Sequence, residues 1–190
     1  MPRLPRSFQS GLVYHVINRG NGQAKVFHKP RDYEAFIGLL AAAKQRTPVR
    51  LFAFCLMPNH FHLVVEAGTS LDLSRFMQWL MTSHVRRYHR HYESSGHVWQ
   101  GRFKSFPIQR DEHLLTVLRY VRQNPVRAGL ASTESGWPWS SAKRVDLVDP
   151  CPAEDSGEAN VLSAGQIQLL RQCVNGQRPF GSMEWLRTLK

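Results

Sequence analysis

The elements legible in this chain run in the order β-α-β-β-α-β-α, which predicts an α+β domain: one antiparallel sheet with helices packed against it. Three observations lead there. Short stretches alternate apolar and polar residues and are bounded by Gly, Pro and Asn. Longer stretches place apolar residues at helical spacing. Hydrophobic residues make up 42% of 190 residues, enough to build the core of one domain with a small appendage.

Residues 11–20 read as a first strand, with Val13, His15 and Ile17 on one face and Tyr14 and Val16 on the other; a Gly20-Asn21-Gly22 turn ends it. His15 reads as a packed or surface histidine that could also assist a site. Tyr33, Phe36, Ile37, Leu40 and Ala41 fall at helical spacing over 31–46, and Pro48 helps stop that helix. Residues 49–56 form a second strand in which Cys55 is a small buried hydrophobe. A Pro58-Asn59 turn then opens a third strand at His60. A helix capped by residues 68–70 runs over 71–92, burying Leu73, Phe76, Met77, Leu80 and Tyr88 and exposing Arg75, Arg86, Arg87 and Arg90.

Residues 94–108 mix Trp99, Phe103 and Phe106 with Arg102 and Lys104 in a partly alternating, strand-like pattern. Rings interleaved with cations suit single-stranded nucleic acid, though core packing serves each ring equally well. Asp111 is an N-cap for a helix over 111–124 whose buried stripe is Leu114, Val117, Leu118 and Val121. Pro125 disfavours helical backbone at Asn124 and predicts that the helix ends or kinks there. The chain thus divides into a domain over 1–144, an acidic linker over 145–162 and a short helical tail over 163–190. Five acidic and no basic residues lie between 145 and 160, together with Pro150 and Pro152, and removing 145–190 is expected to leave a folded domain.

Charge is the strongest bulk signal. Formal net charge is +11 and the isoelectric point about 10.2. Residues 1–144 hold 21 Lys and Arg against 8 Asp and Glu, so the excess sits on the body and predicts a polyanionic partner, most simply nucleic acid. No apolar run is long enough to span a membrane, and the basic N-terminus has no apolar segment behind it. Three widely spaced cysteines make no disulfide framework or zinc knuckle, and fit a reducing cytoplasm.

The chemistry concentrates at Met57-Pro-Asn-His60-Phe-His62-Leu-Val-Val65. On a strand, His60 and His62 share a face and can converge on one small cation. The plainer reading is two polar residues on a wet strand face. Glu66 lies on that same face. Tyr120 and Asn124 sit one helical turn apart on the rim of their helix stripe, so both can touch one object. A tyrosine so placed is ordinarily a packing residue.

Four segments in this order carry a resemblance: Tyr14-His-Val-Ile-Asn-Arg-Gly20, the His60/His62 strand, Trp99-Gln-Gly-Arg-Phe103, and Leu118-Arg-Tyr-Val-Arg-Gln-Asn-Pro-Val-Arg-Ala-Gly-Leu130. Together they resemble the single-tyrosine HUH transposases, and most of all the REP-associated tyrosine transposases of bacteria. The resemblance covers residues 8–144 and, more weakly, the tail through Arg178-Pro-Phe-Gly181. It implies a ferredoxin-like fold and metal-dependent nicking and rejoining of single-stranded DNA beside a hairpin. It further implies that Tyr120 attacks a phosphodiester to leave a 5′-phosphotyrosine and a free 3′-hydroxyl. A divalent metal, Mg2+ or Mn2+, would sit on His60 and His62. Insertion-sequence relatives use glutamine as third ligand where this chain has the shorter Asn124; Glu66 is the alternative.

Arg19, Arg86, Arg87, Arg102, Lys104, Arg122 and Arg127 are the candidate DNA contacts. The expected partners are single-stranded DNA hairpins, with no small-molecule cofactor beyond the metal and the oligomeric state left open, a monomer included. Two other functions fit the same residues: a non-catalytic binder of structured single strands, and a two-histidine phosphoesterase that uses water.

Overall fold

The computed structural model describes residues 11–69, 71–151 and 162–189. Strands β1 (Val13–Arg19), β2 (Val49–Met57), β3 (His60–Ala67) and β4 (Lys104–Ile108) form one sheet in the order β2-β3-β1-β4, every neighbour antiparallel. Helix α1 (Pro30–Arg46) connects β1 to β2, and α2 (Asp72–Tyr92) connects β3 to β4. That connectivity and strand order define the ferredoxin-like arrangement. A third helix, α3 (Glu112–Arg127), follows β4, and α4 (Ala164–Asn175) and α5 (Met183–Thr188) lie in the tail.

Alternation along the strands makes two cores. Tyr14, Val16, Phe61, Leu63 and Val65 join Leu51, Phe54 and Leu56 under α1 and α2, where Phe36, Leu40, Phe76 and Leu80 are fully buried. Val13, Val64, Cys55 and Ile108 face the other way and pack against the α3 stripe of Leu114, Val117, Leu118 and Val121. A bulge between Leu51 and Ala53 puts Phe52 into this second core. Cys55 is a buried hydrophobe, as expected.

Of the two readings of the rings in residues 94–108, core packing holds: Trp99, Phe103 and Phe106 are buried, and Trp99 packs on Phe61 and donates its indole N–H to His84 Nδ1 at 3.2 Å. Three expectations need correction. Only Lys104–Ile108 of that segment is strand. At α2, Leu71 stands at the cap without a side-chain bond, and the Asp72 carboxylate reaches back to the Thr69 N–H and hydroxyl at 2.7 and 2.6 Å. Ser70 of the expected cap lies outside the described residues. Finally, α3 runs through Pro125 to Arg127 and stops at Gly129, whose φ of +67° supplies the left-handed turn. Proline costs the helix one hydrogen bond there, but Pro125 itself is buried.

The expected boundary after residue 144 is not a break in packing. The Asp149 carboxylate accepts from Leu51 N–H at 2.7 Å and pairs with Lys44, while Ser141 N–H and Trp139 carbonyl bond Phe54 and Leu56, so the β2 edge is covered. At the opposite edge Phe180 exchanges backbone bonds with Pro107 and Gln109. Leu162, Leu170, Phe180 and Cys151 are all buried in the second core. Gly181 permits this approach, since a Cβ there would stand 2.3 Å from the Trp185 ring. Residues 145–151 of the expected flexible linker are therefore fixed; residues 152–161 lie outside the described residues. No helix among the described residues is long and apolar enough to cross a membrane.

Candidate active site

The register of the sheet sets the histidines among cations. His62 lies opposite Ile17, which lies opposite Lys104; His60 lies opposite Arg19. All of these occupy the α3 side of the sheet, near the β2–β3 turn. His60 and His62 rings are 5.0 Å apart.

Their outer partners fix which nitrogens are available. Asn59 Nδ2 donates to the Gln23 carbonyl at 3.0 Å, which turns Asn59 Oδ1 toward His60 Nδ1 at 2.7 Å. His60 therefore carries its proton on Nδ1 and offers Nε2 as a bare lone pair. His62 Nδ1 lies 2.9 Å from His15 Nε2. When the proton is on His62 Nδ1, its Nε2 is equally free. Histidine ligands are usually oriented in this way by a partner on the second nitrogen. Burial, with Arg19 adding to it, lowers His60 to about 4. Burial, then the neighbouring His15, His60, Arg127 and Arg19, holds His62 well below the ordinary range. Both rings are neutral at pH 7, the form that ligates a metal.

Helix α3 brings Tyr120 to the same place. Its ring is 8% exposed and stands edge-on to His62 at 6.0 Å and to His15 at 6.3 Å. The Arg127 guanidinium covers it at 4.1 Å from the ring centroid. One turn along, the Asn124 amide nitrogen is buried without a partner among the described residues. Glu66, the alternative ligand, is held by Arg50 and Arg110. Two imidazole nitrogens and an amide oxygen suit a divalent ion. A separate group, Asp111, Glu112 and His113, has its ligand atoms within 4.8 Å of one another, but Asp111 there caps α3 by accepting from His113 N–H and Nδ1.

The candidate DNA contacts divide. Arg19, Arg102 and Lys104 line a groove of about 760 Å³, with Gln100, Asn175 and Gln177 on its other walls. Arg127 adjoins Tyr120. Arg86 lines a smaller pocket behind the 96–101 loop, and Arg87 reaches the Arg31 carbonyl. Arg122 lies on the side of α3 toward Glu134 and Asp149. His15 is packed, as its sequence reading expects; its bond to His62 was not legible, because it depends on the register between β1 and β3.

Comparison with known proteins agrees with this fold. A Haemophilus influenzae protein provisionally described as a REP-associated tyrosine transposase is 28% identical over 131 residues, covering 63% of this chain and 74% of that protein. The REP-associated tyrosine transposase of Escherichia coli K12 is 21% identical over 83% of this chain and 92% of its own length. A solved structure of a REP-associated tyrosine transposase bound to a REP hairpin shares the fold, with a TM-score of 0.58 and 21% identity over 86% of this chain and 96% of that one. The family model described as "Transposase IS200 like" matches residues 8–124, the sheet with all of its candidate ligands and Tyr120, and the chain belongs to that family.

Proposed function

We propose that this protein nicks and rejoins single-stranded DNA beside a REP-like hairpin, with Tyr120 as nucleophile and His60, His62 and Asn124 as the ligands of a divalent ion, Mg2+ or Mn2+. The observation that carries the reading is the packing of the Tyr120 ring edge-on to His62, while the outward nitrogens of both histidines stay uncommitted. A protein that only binds hairpins has no use for that juxtaposition. The hairpin in the related solved structure supports the choice of substrate.

Tyr120 Oη attacks the scissile phosphorus; a Tyr–O–P bond forms and the P–O3′ bond breaks. The phenolic proton is lost, and the departing 3′-oxygen gains one as a hydroxyl. A 5′-phosphotyrosine keeps the bond energy for rejoining to a second 3′-hydroxyl. A divalent ion, when bound, would polarise the phosphate and offset its growing negative charge. The helix and the two rings around Tyr120 limit its movement, so the entropy of positioning the nucleophile is met in folding. Arg19, Lys104 and Arg102 draw the strand into the groove.

The test is incubation with end-labelled hairpin DNA and Mn2+, followed by a denaturing gel. The parent should retain label on the protein. Tyr120→Phe should bind the hairpin nearly as well and give no cleavage. Cleavage by the Phe variant would favour the water-using phosphoesterase.

A further inference from the structure

Arg127 occupies the last position of α3, and its surroundings do not explain its charge. Nη2 donates to the Tyr120 carbonyl at 2.7 Å. Nε and Nη1 are buried and have no partner among the described residues. A buried guanidinium ordinarily has an anion on its fork. Helix α4 faces it with Arg171, Gln168, Gln172 and Asn175, whose spacing puts them on one side of that helix. With Arg127, Ala164 and Ile167 they line an open pocket of about 680 Å³. Neither arginine forms an ion pair with a carboxylate among the described residues. Burial lowers the Arg127 guanidinium from its ordinary value, with Tyr120 opposing the shift and the Arg171 charge adding to it. Two cations and three carboxamides, with no acid lining the pocket among the described residues, form a site for an anion. Asn175 also lines the groove that holds Arg19, Arg102 and Lys104, so pocket and groove meet at that residue, while Arg127 links the pocket to Tyr120.

We infer that Arg127 and Arg171 form a binding site for one backbone phosphate of the single-stranded segment that flanks the hairpin. The neighbouring phosphodiester would then be held against Tyr120, a placement that rests on the reading of Tyr120 as nucleophile. Arg127 is in this account a positioning residue: it holds the tyrosine through its ring and carbonyl and anchors the strand to be attacked. The C-terminal helix contributes directly to DNA recognition.

The experiment measures affinity of the full chain, without added divalent ion, for a hairpin with single-stranded tails and for the same hairpin without them. Arg171 is exposed, so Arg171→Ala should not disturb folding. It is expected to weaken the tailed hairpin about tenfold, the scale of one charge-assisted contact, and to leave the untailed hairpin unchanged. A neutral methylphosphonate walked along the tail should reproduce that loss at one position, and there Arg171→Ala should add nothing further. Arg127→Lys should show the same coupling at the same position. Losses that add at every position, or that are equal with and without tails, would overturn the site. If the coupling holds but the parent forms no covalent adduct, the phosphate site stands and the nucleophile reading fails.

Discussion

His15 shows what a single residue contributes here beyond its type. It packs at 5.1 Å on His62 and bonds that ring's Nδ1, so it orients the candidate ligand that it precedes by 47 positions. His15→Phe keeps the volume and removes the bond. Mn2+ affinity, read from the free-ion EPR signal, should fall roughly 10- to 100-fold; an unchanged affinity would leave His15 a packing residue only. His60→Ala and His62→Ala should retain a trace of cleavage that extra Mn2+ partly restores. His84 carries a different prediction. Burial, with the Arg87 charge adding, lowers it from 6.5 to about 3, and its Nδ1 accepts from Trp99. Between those values the unfolded chain takes up a proton that the folded chain refuses. Its contribution is complete above about pH 6.5 and is lost as pH falls, at up to about 1.4 kcal/mol per unit. Urea unfolding between pH 7 and 5 should therefore show a smaller pH slope in His84→Gln. His60, His62 and Tyr120 were legible as residue types at suggestive spacings, whereas the bonds of His15 and Glu66 were not, since both partners of each bond come from elements distant in sequence.

At the scale of the element, periodicity located the helices and strands well because burial on one face is written locally. The α3 stripe and its Asp111 cap are examples. Local rules failed where tertiary contacts compensate a local penalty. Pro125 predicts an end or a kink at Asn124; the helix does not end there, Pro125 is buried, and Gly129 supplies the end. The tail is the larger case. Acidic and proline-rich composition implied detachment, while single apolar residues such as Leu170 and Phe180, scattered among polar ones, gave no periodic signal of docking. Phe180 is 5% exposed and lies between β4 and His113. Phe180→Ala should cost about 3–5 kcal/mol in chemical denaturation. Truncation after residue 144 should abolish cooperative unfolding, and a fully cooperative fragment would contradict the packing described for the tail.

For the whole molecule, the sheet acts as a partition: one face is an ordinary apolar core, and the other combines a core with the candidate site. The +11 charge is spread unevenly: Arg19, Arg102 and Lys104 line the groove, while Arg86 lies on α2, a helix of the first face. Affinity for single-stranded DNA should fall with salt by about 0.7 log unit per log unit for each phosphate engaged. Lys104→Ala should reduce that slope by one such increment, whereas Arg122→Ala, on the far side of α3, should leave it unchanged. The proposed chemistry requires that Tyr120, and not water, cuts the strand. Its most direct measurement is cleavage of hairpin DNA in 18O-labelled water with Mn2+, followed by nuclease digestion and mass spectrometry of the peptides. The account predicts a nucleotide on the peptide containing Tyr120 and no 18O in the cleaved 5′-phosphate. An unmodified Tyr120 with a labelled 5′-phosphate end would contradict it.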